Sequence, residues 1–549
     1  MRMPLKHNFS GIDRTYETAR SEFNQAIPGD FNFAFDVIDD RALNADKTAL
    51  ICFDADRGNR RDVSFSDLAD ASTRFAQALK RLGLGKGDHA AVVAGRVAEW
   101  HEVIFGCMKA GVVSMPGTNL LTAKDLTYRI NRAGAKAVIV SPQHCEKIDA
   151  IRADCPTLTT CIVIGEADGD WHSYADLCGG ETGDATRADF DQTTATDEMM
   201  CYFTSGTTSN PKMVPRNYGY ALAHSATALF WMNLTDQDIK WTITDTGWAK
   251  AAWSLLFPPL LMGSTVVMHD SPGGFDADFH LKMIPEIGVT RFCAPPTVYR
   301  IFAQVDLAPY DLSSLTRCTS GGEPLNPEVI RYWREHTGTT IADGYGQTET
   351  INIVGNYPDV EIRPGSMGKP VPGFDIDVVD DDGNRCKVGE VGHIAINTTG
   401  DWPPGLFRGY RTDDGLDTKS FRHGWYYSGD TASRDEDGYL WFVGRSDDII
   451  SSAGYRISPF EVESALIEHP AVAESAVIGK PDEARGEIVK AFIILAPGFE
   501  ASGELAAEIQ EFCKQQTAPY KYPREVEFTE TLPKTISGKI RRVELRAKA

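Results

Sequence analysis

The chain has 549 residues, and its 77 acidic against 55 basic side chains leave a formal net charge of −22 at pH 7. This acidic balance argues against binding to nucleic acid or to an anionic membrane through bulk charge, so an anionic ligand needs a local site. At roughly 100–200 residues per domain the length allows three or four domains or subdomains, and the composition, 42% hydrophobic, is that of a globular protein.

The sequence carries no sign of a membrane span or of a targeting segment. No window approaches 18 uninterrupted apolar residues, and the first residues include acids and lack an apolar core. The 11 cysteines are scattered without a CxxC pair, which suits neither a disulfide framework nor a zinc site. We therefore predict free thiols in a reducing cytoplasm.

The first third of the chain alternates helix and strand patterns. Residues 65–85 have apolar side chains three and four apart and end at a glycine, which predicts an amphipathic helix. A strand over 89–94, a helix over 100–110 and strands over 112–116 and 137–140 follow. This alternation predicts βαβ units and a parallel sheet covered by helices.

The same alternation returns over residues 239–303, with predicted strands at 241–244, 265–269 and 290–294 and a helix from Ala251. We expect these segments to build further parallel sheet.

The pattern changes after about residue 365. Residues 366–445 consist of short β-rich segments broken by Gly, Asp and Pro, which predicts a small β subdomain. A compact unit follows, and we place a domain boundary within 444–448. Its predicted elements are a helix over 458–468, strands over 472–479 and 489–495, and a helix over 505–516.

A loop rich in hydroxyl side chains follows the apolar run 199–203. Small residues let backbone N–H groups converge on phosphate oxygens, while hydroxyls and a lysine add donors and charge. The loop is not a Walker loop, and a solvated Ser/Thr turn is the alternative. The candidate phosphate-binding residues are Thr204, Ser205, Gly206, Thr207, Thr208 and Lys212.

A second motif runs from Asp343 to Thr350. Its Gly-Tyr-Gly turn can present Tyr345 as a flat face for a base. Thr348 then offers a hydroxyl for phosphate, and Glu349 a carboxylate for Mg²⁺. A lone loop carboxylate is otherwise a solvated surface group.

Two further motifs lie towards the C-terminus. Asp430 follows a Ser-Gly turn and can accept hydrogen bonds from both hydroxyls of a ribose. Arg445 can lie beside Asp430 across a hairpin. Each is otherwise a turn acid or a surface ion pair of little worth. Lys539, on a Gly-containing loop, can be carried into a site and withdrawn, unless the stretch is an exposed basic tail.

Together these motifs resemble the adenylate-forming superfamily, over about residues 30–545. The similarity is greatest to medium-chain acyl-CoA synthetases, and it depends on the segments 244–254, 293–300, 321–328, 444–472 and 517–528. The resemblance implies an α/β fold. We expect a large N-terminal domain, 1–446, with two helix-covered, mostly parallel sheets and the β subdomain, followed by a small mobile α+β domain, 447–549.

The resemblance also implies an AMP-forming ligase that uses ATP, Mg²⁺ and coenzyme A. A short- to medium-chain acid, branched acids included, would attack the α-phosphorus of ATP, and CoA would then displace AMP. In this reaction Lys539 bridges carboxylate and α-phosphate, Thr348 contacts the α-phosphate and Glu349 binds Mg²⁺. Asp430 and Arg445 bind the ribose. The residues framing the adenine and its surroundings are Gly321, Gly322, Glu323, Asp343, Gly344, Tyr345 and Gln347.

The same resemblance implies domain rotation about Asp447 between the two steps, which withdraws Lys539. The rotation brings in the segment around Gly454 and Tyr455, where the missing side chain of glycine leaves room for pantetheine. Arg456 and Lys521 are candidates for CoA phosphates, with surface ion pairs as the alternative. A homodimer is common among such enzymes.

Two positions need separate interpretation. Ser209 stands where most members of the superfamily have glycine, which predicts a stiffer loop. Lys250 falls in the acyl-pocket segment with Trp248 and Trp253. It can shorten the pocket and favour short or branched acids, pair with a polar group of the substrate, or extend away from the pocket.

The sequence is also compatible with other functions. An aryl-CoA ligase of the benzoate type, or an adenylating enzyme with a carrier-protein acceptor, would use the same motifs. An amino-acid-activating module normally has an acid for the α-amino group, and Asp245 belongs instead to the ligase-like segment. A luciferase-like oxygenase would still adenylate first. A non-catalytic regulator would have lost Lys539, Glu349 or Asp430, and all three are present.

Overall fold

A computed structural model describes residues 9, 12–43, 47–53, 59–204, 211–270, 275–453, 455–518, 520–535 and 539–549. Within them the strands up to residue 370 are β1 (Thr48–Phe53), β2 (Arg60–Ser64), β3 (His89–Val93), β4 (Val113–Pro116), β5 (Ala137–Val140), β6 (Thr160–Val163), β7 (His172–Ser173), β8 (Glu198–Phe203), β9 (Met213–Asn217), β10 (Ile239–Thr242), β11 (Thr265–His269), β12 (Arg291–Ala294), β13 (Arg317–Gly321), β14 (Ile341–Gly346), β15 (Asn352–Gly355) and β16 (Lys369–Pro370). The later strands are β17 (Ile376–Val379), β18 (Val391–Asn397), β19 (Tyr410–Thr412), β20 (Gly415–Asp417), β21 (Phe421–Arg422), β22 (Trp425–Arg434), β23 (Leu440–Arg445), β24 (Ile450–Ser452), β25 (Tyr455–Ile457), β26 (Val472–Asp482), β27 (Gly486–Leu495) and β28 (Glu525–Phe528).

Helices alternate with these strands along much of the chain. They are α1 (Tyr16–Glu22), α2 (Asp39–Ala42), α3 (Phe65–Arg81), α4 (Ala98–Ala110), α5 (Ala123–Ala133), α6 (Cys145–Ile151), α7 (Tyr174–Gly179), α8 (Tyr218–Ala223), α9 (Ala249–Ala251), α10 (Phe257–Met262), α11 (Ala277–Ile287), α12 (Pro296–Phe302), α13 (Pro327–Thr337), α14 (Pro459–Ile467), α15 (Gly503–Gln516) and α16 (Arg542–Lys548). Three π-helical turns, Ala34–Ile38, Thr227–Trp231 and Ala252–Leu256, and the 3₁₀ turns Pro142–His144, Arg152–Asp154 and Arg187–Asp189 complete the helical segments.

Two large sheets, each nine-stranded in the described residues, form the body of the protein. The first has the strand order β16-β15-β14-β13-β12-β10-β11-β1-β2, and its strands from β14 to β1 run parallel. The second has the order β20-β19-β9-β8-β4-β3-β5-β6-β7, parallel from β8 to β7. The central strands β3 and β5 are buried along their whole length, as expected for parallel strands covered on both faces.

Two smaller sheets follow. The strands β17, β18, β22, β21 and β23 form an antiparallel sheet, and β24 to β28 form a mixed one with α14, α15 and α16. The predicted β-rich stretch 366–445 thus supplies its own sheet, but it also sends β19 and β20 to the edge of the second large sheet. The predicted α/β fold class is confirmed, and the division at 446/447 stays a prediction.

Local sequence signals account for many of these boundaries. Helix α3 begins at a capping box in which the Ser64 hydroxyl accepts from the Asp67 N–H (3.0 Å) and Asp67 accepts from the Ser64 N–H (2.9 Å). Thr122 and Asp125 cap α5 in the same way, and α5 ends at Gly134 in the left-handed conformation. Each predicted strand and helix named above is present, with ends shifted by a few residues at most.

The carboxyl ends of strands from both large sheets meet at one place. The segment that follows β10 crosses to the second sheet, where the Thr246 hydroxyl donates to Ala94 O (2.6 Å) and the Thr118 hydroxyl to Asp245 Oδ2 (2.8 Å). Gly247 lies against the backbone there: a Cβ on it would be 2.0 Å from Thr118 N. This junction brings motifs from distant parts of the chain to one cleft edge.

The described part of the chain has no helix long and apolar enough to cross a membrane. All eleven cysteines lie within it and carry free thiols, most of them buried.

Candidate active site

The hydroxyl-rich loop leaves β8 and returns into β9. Thr204 N–H donates to Lys212 O (3.0 Å), and Lys212 N–H donates to Thr204 Oγ1 (3.4 Å), so the two ends of the loop are held together. Of the predicted phosphate-binding residues, Ser205, Gly206, Thr207 and Thr208 lie outside the described residues, as does Ser209. Thr204 and Lys212 therefore mark where the loop begins and ends.

Lys212 and Glu349 share one aromatic neighbour that the sequence did not reveal. The Lys212 ammonium lies 4.5 Å from the centre of the Tyr410 ring, and the Tyr410 hydroxyl donates to Glu349 Oε1 (2.6 Å). Burial raises the pKa of Tyr410 above its ordinary value, so the phenol keeps its proton and acts as a donor. Glu349 itself is 8% exposed, and not the solvated loop carboxylate of the alternative interpretation.

The backbone of Glu349 is fixed from a second side. The buried Arg216 donates from Nη1 to Glu349 O (2.8 Å) and from Nη2 to Gly405 O, and Phe407 N–H also donates to Glu349 O (2.9 Å). Burial lowers the pKa of Arg216, because the carbonyls that accept its hydrogen bonds compensate desolvation less than a carboxylate would. Thr348, the residue before Glu349, is partly exposed.

Glu349 is the residue here that suits a magnesium ion. No group of three or more His, Cys, Asp or Glu side chains in the described residues could hold a metal by itself. This fits Mg²⁺ at a nucleotide, which takes one or two carboxylates and otherwise phosphate and water oxygens. The metal assignment of Glu349 stays a prediction.

The predicted adenine-framing residues lie on adjacent strands. Gly321 at the end of β13 pairs in register with Gly344 of β14, and a Cβ on Gly321 would lie 2.7 Å from Gly344 O. Trp231 holds β14, with its indole N–H donating to the carbonyls of Ala342 and Asp343 (3.2 Å each). The glycines thus allow backbone to approach backbone, which a side chain would prevent.

The outer part of this frame carries charge. Gly322 has a left-handed φ of 102°, and Glu323 beside it pairs with Arg300 (3.1 Å). Asp343 is buried, which raises its pKa to about 8, against the opposing effects of the Gly344 N–H and of Lys250.

Asp430 is the centre of a hydrogen-bonded group. The Tyr345 hydroxyl and the Gln347 amide both donate to Asp430 Oδ2 (2.6 Å each). Asp430 and Arg445 are register partners in β22 and β23, with Arg445 Nε 3.6 Å from Asp430 Oδ1. The hairpin juxtaposition expected from the sequence is present, whereas the sequence did not foresee that the Tyr345 hydroxyl bonds to Asp430.

Lys539 lies near the end of the chain with an exposed side chain. Burial raises the pKa of Asp430, and the positive charges of Arg445 and Lys539 act against that rise. The backbone of Lys539 closes a hairpin, in which Thr535 N–H donates to Lys539 O (2.7 Å) and Lys539 N–H to Thr535 Oγ1 (3.1 Å). Lys539 is therefore not simply part of a free basic tail.

Two of the residues predicted to line the acyl pocket contact β13 and β14, the strands that carry the predicted adenine-framing residues. Trp253 is buried against Gly346, where a Cβ would lie 2.7 Å from the indole, and Trp248 is partly exposed. Lys250 Nζ donates to Gly321 O (3.0 Å). Burial among protein groups lowers the pKa of Lys250, although its side chain retains some accessible surface. This backbone partner was not among the three roles considered from the sequence.

The CoA-binding candidates are less completely described. Gly454 and the side chain of Arg456 lie outside the described residues. The Tyr455 ring stacks on Tyr520 with centres 4.1 Å apart, and Lys521 forms an ion pair with Glu461. In this conformation Lys521 thus has the surface ion pair that was the alternative to a phosphate role. The candidate hinge residue Asp447 lies 3.6 Å from Arg445, between Oδ1 and Nε.

Comparisons with known proteins agree with this arrangement. The mitochondrial acyl-coenzyme A synthetase ACSM3 of Mus musculus is 42% identical over 560 residues, covering 100% of this chain and 95% of that protein. Mitochondrial ACSM4 of Rattus norvegicus is 42% identical, covering 95% of this chain and 91% of its own.

Solved structures are similar as well. The anthranilate CoA ligase AuaEII, in complex with anthranoyl-AMP, aligns with a TM-score of 0.85 and 32% identity, covering 95% of this chain and 98% of that one. An acyl-CoA synthetase of Brucella canis has a TM-score of 0.72 and 34% identity, covering 98% and 99%.

Two sequence profiles give the assignment. The profile described as AMP-binding enzyme matches residues 39–411, and that of the AMP-binding enzyme C-terminal domain matches residues 461–539. The first match spans more than half of the chain and contains Glu349 and the segments predicted to bind phosphate and adenine, while the second ends at Lys539. The resemblance drawn from the motifs is thereby confirmed, and the chain belongs to the AMP-binding enzyme family.

Proposed function

We propose that the protein, an AMP-forming acyl-CoA synthetase, activates a short- to medium-chain carboxylic acid, branched acids included, in an ATP- and Mg²⁺-dependent reaction and transfers the acyl group to coenzyme A. The observation that carries the proposal is the hydrogen-bonded group that Tyr345, Gln347 and Arg445 form around Asp430, beside the frame formed by Gly321 and Gly344. ATP and CoA are implied by the family to which the chain belongs.

The chemistry requires anions to approach one another. A carboxylate attacks the α-phosphorus of ATP, the bond to pyrophosphate breaks, and negative charge accumulates on the phosphoryl oxygens. Lys539 and Lys212 supply positive charge on the two sides of the nucleotide, and fixed N–H and hydroxyl donors stabilise the developing charge without reorganising. Bound at Glu349, Mg²⁺ would neutralise phosphate charge. CoA thiol then attacks the acyl carbonyl and AMP leaves.

A second candidate is an aryl-CoA ligase. It is favoured by the high TM-score to the anthranilate CoA ligase and by the aromatic residues Trp248 and Trp253 in the acyl segment. An adenylating enzyme with a carrier-protein acceptor would share the first step and differ in the second. The homodimer and the cytoplasmic location stay predictions.

The direct test is AMP formation from ATP, Mg²⁺ and CoA with acetate, propionate, isobutyrate, 2-methylbutyrate, hexanoate, octanoate and benzoate. CoA-dependent AMP release with a preferred aliphatic acid supports the proposal, and a preference for benzoate supports the aryl alternative. Pyrophosphate release that does not need CoA indicates another acceptor. No activity with any acid would contradict the substrate class.

Removal of the Tyr410 hydroxyl tests the support of Glu349. We expect Tyr410→Phe to lower kcat/KM for ATP in pyrophosphate exchange by roughly tenfold, because a charge-assisted hydrogen bond is lost while the ring beneath Lys212 remains. Tyr310→Phe is the matched control, since its hydroxyl also donates to a carboxylate, Asp278 Oδ1 (2.8 Å), at the surface. Equal activity of the two variants would show that the Glu349 contact is unimportant.

Lys250→Met separates three roles of the lysine. The Lys250 bond to Gly321 O positions the adenine strand, so we expect the KM for ATP to rise roughly tenfold, with the ranking of acids unchanged. Lys282→Met removes an exposed lysine and serves as the control. If the preferred acid becomes longer while the KM for ATP stays the same, Lys250 limits the pocket. Loss of activity towards a polar-substituted acid alone would mean that it binds the substrate.

A further inference from the structure

The candidate hinge residue Asp447 is linked to the nucleotide site through its side chain. Arg445 Nε lies 3.6 Å from Asp447 Oδ1 and also 3.6 Å from Asp430 Oδ1. Asp430 in turn accepts from Tyr345 and Gln347. The side chain of Asp447 thus forms an ion pair with Arg445, one of the two residues that we propose to bind the ribose.

The main chain of the same residue is attached to a different part of the protein. Arg546 of the last helix, α16, donates from Nη2 to Asp447 O (3.3 Å) and forms an ion pair with Asp448. Arg542, one turn earlier, lies 3.7 Å from Asp448 Oδ2. It also binds both oxygens of Glu463 of α14, at 2.6 and 2.8 Å.

These contacts make α16 part of a rigid connection. Glu463 is buried, and burial raises its pKa while the charge of Arg542 opposes the rise, as expected for a carboxylate held in a buried ion pair. Through this pair α16 is attached to α14 and thus to the fourth sheet. Helix α16 begins directly after the hairpin that carries Lys539. The peptide that follows Asp447 is therefore tied to the body that carries Lys539.

We infer that Arg546 and Asp448 form a clamp that fixes the peptide after Asp447 to the C-terminal domain and thereby positions Lys539 for adenylation. The inference rests on the proposed function and on Asp447 as the hinge. With the side chain of Asp447 held by Arg445 and its carbonyl held by Arg546, rotation is confined to the backbone dihedrals of this one residue. Arg546 and Asp448 are positioning residues, since neither touches a reacting atom.

The clamp matters because Lys539 lies far along the chain from the hinge, so a small rotation at Asp447 moves it by a larger distance. Rotational freedom at a hinge produces a displacement that grows with distance from the hinge. A misplacement of about 1 Å at a reacting centre can lower the rate by on the order of 100-fold. An arginine suits the position because its planar fork can bind a carbonyl and a carboxylate together, whereas the lysine ammonium is a single point charge.

The first experiment compares both half-reactions in the full-length protein. For Arg546→Ala we expect kcat for acid-dependent pyrophosphate exchange to fall roughly 30-fold with an unchanged KM for ATP, because bound nucleotide no longer meets a well-placed lysine. Thioester formation from supplied acyl-AMP and CoA does not use Lys539, so its rate should change by less than about threefold. Arg546→Lys should lie between Arg546→Ala and wild type.

The matched control is Arg541→Ala, which removes the arginine that precedes the same helix and that pairs with Glu544 and not with the hinge. Its exchange rate should stay within about twofold of wild type. In a double-mutant cycle of Asp448→Asn with Arg546→Ala, the loss in the double variant should be smaller than the sum of the two single losses, because both substitutions remove the same ion pair.

Three results would overturn the clamp: normal exchange in Arg546→Ala, an equal loss in both half-reactions, or additive losses in the cycle. Should Arg546→Ala fail to fold, Arg546→Lys and Asp448→Asn carry the same comparison. The proposed function fails separately, since wild-type protein would then show no acid-dependent exchange at all.

Discussion

Replacing Lys539 with alanine is expected to lower the rate of acyl-adenylate formation by about 1,000-fold, because its charge offsets the repulsion between the attacking carboxylate and the α-phosphate. The backbone of Lys539 is held by its bonds with Thr535, and its positive charge acts against the rise in the pKa of Asp430. Thioester formation from supplied acyl-AMP should be nearly unchanged. Pyrophosphate exchange and single-turnover thioester formation are the two measurements.

The control for this substitution lies on the same hairpin. Lys534 forms a bridge with Ile540 through the backbone, and its ammonium pairs with Glu474 (2.7 Å) and not with the site. Lys534→Ala should therefore keep adenylation within about twofold, as expected for an exposed ion pair. If Lys539→Ala loses less than tenfold, or loses as much in thioester formation, Lys539 does not serve adenylation specifically.

The residues that the sequence could indicate are those whose signal is local. Lys539, Glu349 and Asp430 belong to short motifs with turn residues on both sides, and the Asp430–Arg445 pairing follows from a predictable hairpin. The alternation of buried strands and amphipathic helices likewise predicted the parallel sheets, since a period of two or 3.6 residues is visible within a short window.

The supporting residues have no such signal. Tyr410 reaches Glu349 across 61 positions, and Arg216 reaches Glu349 O across 133. Trp231 stands 111 positions from Ala342, whose carbonyl it binds. None of these contacts is marked by a local sequence pattern. Each exists only because the folded chain brings distant segments together, as where the strand of Tyr410 pairs with the strand of Arg216. Lys250 was noticed as unusual, but its partner Gly321 O depends on the same tertiary packing.

Substitution of Gly247 by alanine is expected to damage both the stability and the activity of the protein. A Cβ at this position would lie 2.0 Å from Thr118 N and 2.1 Å from Gly117 C, well inside van der Waals contact. Both are backbone atoms at the end of β4, so no side-chain rotation can relieve the overlap. The two large sheets would have to separate locally, which costs about 1–3 kcal/mol.

The activity of Gly247→Ala should fall by more than its loss of unfolding free energy alone would cause. Gly247 precedes Trp248 and Lys250, so a displaced turn moves the acyl segment and the lysine that holds Gly321 O. A shift of about 1 Å there is expected to lower kcat/KM for the acid by on the order of 100-fold.

Urea unfolding and AMP formation on the same preparations check the two parts of this prediction. Gly179→Ala is the matched control: a Cβ at Gly179, in α7, meets no atom within 4 Å, and alanine favours a helix over glycine. Its unfolding midpoint should be equal to or above that of wild type. If Gly247→Ala unfolds at the wild-type midpoint and keeps full activity, the backbone contact between the sheets does not determine the position of the acyl segment. A loss of activity without a loss of stability would instead mean that the overlap is relieved by moving the acyl segment alone, because the sheet junction would then have kept its packing energy.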